Sequence, residues 1–305
     1  MDDGGFLQSI SQTLESYTGI EGILGYLVIA SCVFLGHWVM NKLTERHLEE
    51  EGRKEASKKG IAHKQLDSDN ADEEPDPPRN FTAEQLKYFD GKVDEKTDEN
   101  KPVYLSVNGT VFDVSDGRDF YGPGGPYELF AGHECGVALA KFSFDTTHLD
   151  DMAGCENLNF GEKEELDNWI QKFTYHRLYP VKGRLIPQDM LPDPNRIVTK
   201  SELEANNGEG EIPKGYAAAP IYVGAGEKCY DMSFGGVQFY GPGCGYNRFA
   251  GKDVSRALAK MSFEPGDTEN TDVSDLSEKE LKILADWIKT FEDRKQYPCV
   301  GRVEK

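Results

Sequence analysis

Basic residues are scarce in this chain of 305 residues. Asp and Glu number 54 against 34 Lys and Arg, which gives a formal net charge of −20 at pH 7. A nucleic-acid-binding protein presents a basic face to phosphate groups, so the composition argues against that class. We therefore expect no nucleic-acid partner.

Paired cysteine spacings are also missing. No two of the six cysteines stand at C-x-x-C spacing, which argues against a zinc or thioredoxin-type site. Cys32 lies in an apolar segment and leaves five cysteines elsewhere, an odd number. This count fits a reducing compartment better than a disulfide framework.

Sequence signatures of enzymes are likewise missing. The chain has neither a Ser-His-Asp nor a Cys-His signature, and its glycine-rich stretches lack the Lys-Ser/Thr ending of a P-loop. We therefore expect a protein that binds a ligand and is not an enzyme.

One long apolar run is present, at residues 22–40. Nineteen residues at the helical rise per residue give about 28 Å, close to the hydrocarbon thickness of a bilayer. Residues 1–21 contain no Lys or Arg, unlike the start of a signal peptide, whereas seven basic residues follow between Lys42 and Lys64. The positive-inside rule then predicts a single-pass anchor with the C-terminal bulk in the cytoplasm.

The rest of the chain contains the same series of segments twice. The stretch FYGPGGPYELFAG (Phe120–Gly132) returns 119 residues later as FYGPGCGYNRFAG (Phe239–Gly251), and the flanking segments match in the same order. Such a match indicates tandem duplication. We divide the chain into 1–21 (a short N-terminal segment), 22–40 (transmembrane helix), 41–79 (charged, acidic and Pro-rich linker), 80–186 (first domain), 187–196 (linker) and 197–305 (second domain).

Each copy mixes helix and strand patterns, which predicts an α+β fold. A threonine with Gln or Glu three residues on, the spacing of a capping box, opens each copy at Thr82 and Thr199. Apolar and polar residues alternate around a turn at 102–115 and 220–233, which predicts a β-hairpin. An amphipathic helix carrying a tryptophan follows in each copy.

The stretch with two tyrosines has a purely structural interpretation, because Gly and Pro make turns and flanking aromatic residues pack beneath them. Two features favour a binding function. The stretch is among the best-preserved parts of the two copies, although turns usually vary more than cores. It also keeps tyrosines rather than phenylalanines, and a buried phenol needs a partner for its hydroxyl.

Three segments of the first copy, FTAEQLKYFDG, NGTVFDVSDGRDFYGPGGPYELFAG and ALAKFSF, resemble the membrane-associated progesterone receptor family. Its members have a cytochrome b5-like heme/steroid-binding domain behind one N-terminal anchor. The resemblance covers residues 80–186 and, more loosely, 197–303. It implies two tandem cytochrome b5-like domains after one transmembrane helix.

The resemblance implies a role for three tyrosines in each copy. The second tyrosine of the stretch would be the axial ligand of heme iron. The first would line the heme and hydrogen-bond near it, and a later tyrosine would face it. By position, these are Tyr127, Tyr121 and Tyr179 in the first copy, and Tyr246, Tyr240 and Tyr297 in the second. Leu178 and Gln296 stand where the family often has Lys, and the spacing from the tryptophan is two residues longer than usual.

Histidine is missing after position 176. A cytochrome b5 that carries electrons needs two histidines on the iron, so the second copy cannot supply them. Tyrosine is an established axial ligand, and a bound cation favours the phenolate. An anionic oxygen donor stabilises ferric over ferrous iron. The expected cofactor is therefore ferric, Tyr-ligated heme, at least in the first domain.

The two copies differ just before the proposed ligand, where Gly245 replaces Pro126. Proline fixes φ and restrains the preceding residue. Its loss predicts a looser Tyr246 and weaker heme binding in the second domain. Cys244 is an alternative thiolate donor.

The resemblance also implies a setting. It places the protein on the endoplasmic reticulum membrane, with a steroid or other hydrophobic ligand, cytochrome P450 monooxygenases as partners, and a dimer formed through an exposed heme face. Two other functions remain open: electron transfer of the cytochrome b5 type, and a heme-free membrane adaptor.

Overall fold

The computed structural model describes residues 76–304. Within this range no helix is both long and apolar enough to cross a bilayer. The predicted membrane segment, residues 22–40, lies outside the described residues, as does most of the predicted linker 41–79. The single-pass anchor therefore stays a prediction.

The first half combines a four-stranded sheet with short helices. The strands stand in the order β1-β4-β3-β2, and β1 runs parallel to β4 while the other pairs are antiparallel. The elements are β1 (Arg79–Phe81), α1 (Ala83–Lys87), β2 (Tyr104–Val107), β3 (Thr110–Asp113), α2 (Arg118–Tyr121), α3 (Gly136–Ala140), α4 (Phe160–Gln171) and β4 (Val181–Leu185).

The second half has a corresponding series of elements. Its five strands stand in the order β5-β9-β7-β6-β8, so that β5 and β9 correspond to the parallel pair of the first half. The elements are β5 (Ile197–Val198), α5 (Lys200–Ala205), β6 (Tyr222–Ala225), β7 (Lys228–Asp231), α6 (Val237–Tyr240), β8 (Lys252–Asp253), α7 (Ser255–Lys260), α8 (Pro265–Thr268), α9 (Glu278–Lys289) and β9 (Cys299–Val303).

Local sequence explains where these elements begin and turn. The capping box at α1 is confirmed, because the Thr82 hydroxyl accepts from the Gln85 N–H and the Gln85 side chain accepts from the Thr82 N–H. The hairpin is confirmed as well. Asn108 (φ 49°) and Gly109 (φ 76°) form a two-residue turn with positive φ at both positions, which matches the twist of the strands.

The long helix of each half continues into one turn of π-helix, at Lys172–His176 and Thr290–Arg294. Each π-turn is soon followed by a residue with positive φ, Leu178 (53°) or Gln296 (52°). A π-turn accommodates extra residues in a helix without breaking it. Each π-turn follows the tryptophan of its helix. This is the region in which the sequence has two residues more than is usual in the family it resembles.

Two buried side chains of the first half bind the second half. Asn80 is fully buried. Its amide group donates to the Ala218 carbonyl at 3.1 Å and the Ser233 hydroxyl at 2.8 Å, and its oxygen accepts from the Ala217 N–H at 2.8 Å. All of these polar atoms are therefore paired across the boundary between the halves.

Gln85 makes a second set of contacts across the same boundary. Its side-chain amide donates to the Phe234 carbonyl at 2.7 Å and to the carbonyls of Lys295 and Gln296, each at 3.1 Å. The two halves belong to one compact unit. These bonds hold helix α1 of the first half against two parts of the second half. One is the loop at Phe234, which precedes the second tyrosine stretch, and the other is the segment at Lys295 and Gln296, which precedes Tyr297.

Removing the Asn80 amide should destabilise the protein. We expect Asn80→Ala to lower the free energy of unfolding by about 2 kcal/mol, because it leaves the Ala217 N–H and its neighbours unpaired inside the protein. Urea unfolding of the purified chain measures this difference. Asn168→Ala, at an exposed site on α4, is the control and should stay within about 0.5 kcal/mol of the original protein. An equal effect of both substitutions would contradict this role for Asn80.

Candidate functional site

The stretch that contains the first two tyrosines is a closed loop in both halves. The N–H of Tyr127 donates to the carbonyl of Phe120 at 2.8 Å, and the N–H of Tyr246 donates to that of Phe239 at 2.9 Å. Each bond spans the Gly/Pro-rich turn. The short helix α2 or α6 and its following loop therefore present two tyrosines from fixed positions.

Three predicted site residues of the first half lie together. The ring centroids of Tyr121 and Tyr127 are 5.7 Å apart, and those of Tyr121 and Tyr179 are 6.4 Å apart. Phe173 lies edge-on to both Tyr121 and Tyr179. Tyr121 and Tyr179 are buried, whereas Tyr127 is half-buried.

The second half reproduces this cluster. Its first two tyrosines, Tyr240 and Tyr246, have ring centroids 5.6 Å apart at an interplanar angle of 32°, the angle also seen between the equivalent rings of the first half. Tyr297 packs on Phe291 with centroids 5.8 Å apart. Tyr240 and Tyr297 are buried and Tyr246 is half-buried.

A glycine lets the third tyrosine approach the first. A Cβ added at Gly117 would clash with the Tyr179 hydroxyl, and one at Gly236 would lie 3.0 Å from the Tyr297 hydroxyl and 3.1 Å from Cδ2 of Tyr240. Both glycines have negative φ, so this space, and not an unusual backbone conformation, explains why the residue is glycine.

Burial makes two tyrosines of each cluster poor acids. It raises the pKa of Tyr121, Tyr179 and Tyr240 above the usual value for a phenol, and it raises the pKa of Tyr297 to about 12. Their hydroxyl groups make no hydrogen bond to another residue in the range 76–304. These four phenols are neutral at physiological pH and can donate hydrogen bonds to a ligand.

An exposed aromatic residue flanks the half-buried tyrosine in each half. Phe144, which is 55% exposed, stacks on Tyr127 and on Phe130 with centroid separations of 5.7 Å. Phe263 is placed in the same way beside Tyr246. The tyrosine cluster therefore reaches the surface beside apolar side chains that could cover a flat hydrophobic ligand.

The other candidate donors near the loops have partners of their own. Nδ1 of His133 lies 2.9 Å from a carboxylate oxygen of Asp150. The Cys244 thiol donates to the Val237 carbonyl at 3.6 Å. No group of three or more His, Cys, Asp or Glu residues suited to a metal ion occurs between residues 76 and 304.

A cavity of about 720 Å³ in the second half lies apart from the tyrosines. Its wall includes Leu203, Glu204, Lys252 and Thr268 but no aromatic side chain. A mixed wall of charged and small residues offers no surface on which a flat aromatic ligand could stack. We therefore place the candidate site at the tyrosines.

The sequence does not identify two kinds of residue that border the tyrosine clusters. Gly117 and Gly236 were visible only as members of turns, because a tyrosine about 60 residues further along the chain gives them their role. Arg79 lies at the end of the predicted linker, yet it belongs to β1 and its guanidinium packs against Gly235. No local pattern in the sequence signals a contact of that kind.

The fold of the first half agrees with comparisons to known proteins. The family model described as "Cytochrome b5-like Heme/Steroid binding domain" matches residues 85–181, within the first half. Probable steroid-binding protein 3 of Arabidopsis thaliana is 42% identical over 106 residues, which are 35% of this chain and 97% of that protein. The chain therefore belongs to the cytochrome b5-like heme/steroid-binding family.

Two further relatives have informative names. Cytochrome P450 regulator dap1 of Schizosaccharomyces pombe is 39% identical over 123 residues, 38% of this chain and 69% of that protein. Human membrane-associated progesterone receptor component 2 is 38% identical over 109 residues, 35% of this chain and 45% of that protein. The resemblance found in the sequence is thus confirmed for the heme/steroid-binding family.

Proline in place of Gly245 and glycine in place of Pro126, each as a single substitution, should change the free energy of unfolding in opposite directions. A Cβ at Gly245 meets no atom within 4 Å, and its φ lies outside the left-handed region. We therefore expect Gly245→Pro to raise the free energy of unfolding by about 0.5–1 kcal/mol and Pro126→Gly to lower it by a similar amount. Urea unfolding of each variant measures this change. Destabilisation by Gly245→Pro would show that the second loop does not need the restraint that proline gives the first.

Proposed function

We propose that the protein is a membrane-anchored heme-binding protein in which a tyrosine of each half ligates ferric heme. The observation that carries this proposal is the meeting of three tyrosines in each half, two buried and one half-buried. These residues fit the cofactor, because they offer one oxygen ligand, two hydrogen-bond donors and aromatic faces on which a flat ring can pack.

Differences in burial support the assignment of the ligand. Phenolate formation is costly at Tyr121 and Tyr179, whose pKa values burial raises. These two side chains are suited to hold and orient the cofactor as neutral hydrogen-bond donors. Tyr127 is only half-buried and reaches the surface beside Phe144, where a ligand can approach it. It is therefore the best candidate for the anionic ligand, with Tyr246 in the same position of the second half.

A bound heme would supply a ferric centre whose low potential suits storage, sensing or delivery better than electron shuttling. The available histidines support this choice over a cytochrome b5 with two histidine ligands. His133 is engaged with Asp150, and the chain has no histidine after His176. We accordingly propose a binding protein and not an enzyme or an electron carrier.

We propose that the second half is a second heme/steroid-binding domain. The hairpins and the long helices of the two halves are offset by 118 residues and the tyrosine loops by 119, and the strand orders correspond. The matching ring geometry of the two clusters supports the same function in both. The chain would then have two sites with the same type of ligand residue.

The setting we propose comes from the relatives and from the predicted anchor. The names of relatives associate them with cytochrome P450 regulation and with steroids at membranes. We propose that residues 22–40 anchor this chain in the endoplasmic reticulum membrane, with both domains in the cytoplasm. There they would assist a monooxygenase, and the exposed Phe144 and its neighbours would accept a steroid or a second heme-bearing copy.

Loss of either ligand phenol should weaken hemin binding. We expect Tyr127→Phe and Tyr246→Phe each to remove one tightly bound equivalent from the full chain and to change the visible spectrum, because the phenyl ring has no oxygen for the iron. Titration of the purified chain with hemin, followed by absorption, measures both effects. Tyr175→Phe is the matched control, because Tyr175 is 72% exposed and is not in the cluster. An unchanged spectrum and affinity in the Tyr127→Phe chain would exclude that ligand.

A further inference from the structure

Arg79 has an unusual environment for a charged side chain. It belongs to β1 of the first half, but a Cβ added at Gly235 of the second half would lie 2.5 Å from its Nη1. Its Cζ lies 4.1 Å from the centre of the Phe81 ring. Its Nε is buried and has no hydrogen-bond partner, and its side chain forms no ion pair with the residues in 76–304. A buried donor without a partner calls for an explanation.

The equivalent arginine of the second half shows what Arg79 lacks. Strand register aligns Arg79 with Arg196, because the next residues, Asn80 and Ile197, pair with equivalent arginines of the last strand, Arg184 and Arg302. Arg196 forms an ion pair with Glu202 at 2.6 Å. The residue at the position of Glu202 in the first half is Gln85, a neutral side chain that is bound to carbonyls of the second half. Arg79 therefore lacks the ion-pair partner that Arg196 has, although the charge of Asp76 acts on it, and it faces the second half.

Arg79 lies beside the second tyrosine cluster. Gly235, against which it packs, adjoins Gly236, where an added Cβ would lie 3.0 Å from the Tyr297 hydroxyl and 3.1 Å from Cδ2 of Tyr240. Burial raises the pKa of Tyr297, and the charge of Arg79 opposes that rise. Burial lowers the pKa of Arg79 itself to about 10, which leaves the guanidinium charged at neutral pH. A positive charge from the first half thus acts on a site in the second.

The first tyrosine cluster has the opposite charge at this position. The residue before Gly117, equivalent to Gly235, is Asp116. Burial raises the pKa of Tyr179 most; the charge of Arg177 lowers it, and the charge of Asp116 has a smaller, raising effect. The two clusters therefore have nearly the same ring geometry but different charges beside the third tyrosine: Arg79 alone acts on Tyr297, whereas Asp116 opposes Arg177 at Tyr179.

We propose that Arg79 is the anion-binding residue of the second tyrosine site, so that this site is completed across the boundary between the halves and selects a flat hydrophobic ligand with a carboxylate at its edge. The proposal rests on the function proposed above. A guanidinium without a partner offers paired N–H donors that match a carboxylate. The glycine at position 235 leaves room for this guanidinium.

The test uses the full chain and two probes, hemin and hemin dimethyl ester, in which both carboxylates are methylated and uncharged. Tyr127→Phe leaves the second site for measurement, and Tyr246→Phe leaves the first. In the Tyr127→Phe chain, we expect Arg79→Gln to weaken hemin binding about tenfold or more, the value of one charge-assisted hydrogen bond, and to leave ester binding nearly unchanged. Arg79→Lys should retain part of the preference for the acid.

Arg196→Gln is the matched control, because it removes the same charge from the equivalent position, where the side chain contacts Glu202 and Tyr222 and none of the three tyrosines of the second cluster. It should leave hemin binding at the second site unchanged, and Arg79→Gln should leave the first site unchanged. If Arg79→Gln does not fold, hemin and hemin dimethyl ester are compared in the Tyr127→Phe and Tyr246→Phe chains that retain Arg79. Esterification should then weaken binding more at the second site than at the first.

Three results are decisive. Equal hemin affinity with and without Arg79, or equal losses for hemin and its ester, would overturn the role of Arg79 while leaving heme binding intact. Where Arg79→Gln does not fold, equal effects of esterification at the two sites would overturn it too. Failure of the unsubstituted chain to bind hemin at all would instead overturn the function on which the inference rests.

Discussion

Contact between a tyrosine hydroxyl and the backbone of a glycine determines the geometry of each candidate site. Gly117 and Gly236 lie just before the short helices that carry the first tyrosines, whereas Tyr179 and Tyr297 lie just before the last strands. Because no Cβ stands between them, the two ends of each half meet. In the first half, the last strand, which follows Tyr179, pairs with the hairpin and with the first strand, so the same segment completes both the sheet and the tyrosine cluster.

The boundary between the halves makes them interdependent. Asn80 and Gln85 place the polar groups of the first strand and helix on backbone atoms of the second half. This arrangement brings Arg79 beside the second tyrosine cluster, where the first cluster has Asp116. Two sites of nearly equal shape thereby acquire different electrostatic environments. Under the proposed function, this difference in charge would give the two clusters different ligand preferences without a change of fold.

Much of each half could be predicted because its signals are local. The capping box at Thr82, the positive-φ turn at Asn108 and the tryptophan helix each depend on residues within a few positions of one another. The grouping of three tyrosines came from the family resemblance, and the structure brings the six residues together as two clusters of three.

The rest could not be predicted because it depends on distant contacts. The composition of residues 41–79 assigns Arg79 to an acidic, Pro-rich linker. Composition describes the average tendency of a segment and does not identify the partner of one side chain. The role of Arg79 follows from a comparison of Gln85 with Glu202, which has meaning only once the strands are aligned. The open space around Gly245 is likewise a property of the folded loop.

The central claim is that a tyrosine phenolate binds the iron. Resonance Raman spectroscopy of the hemin-loaded full chain tests it most directly, with protein made from ordinary and from ring-deuterated tyrosine. The account predicts phenolate vibrations that shift on deuteration and that lose intensity in both the Tyr127→Phe and the Tyr246→Phe chains. A hemin complex whose spectrum shows no band sensitive to tyrosine deuteration would contradict it.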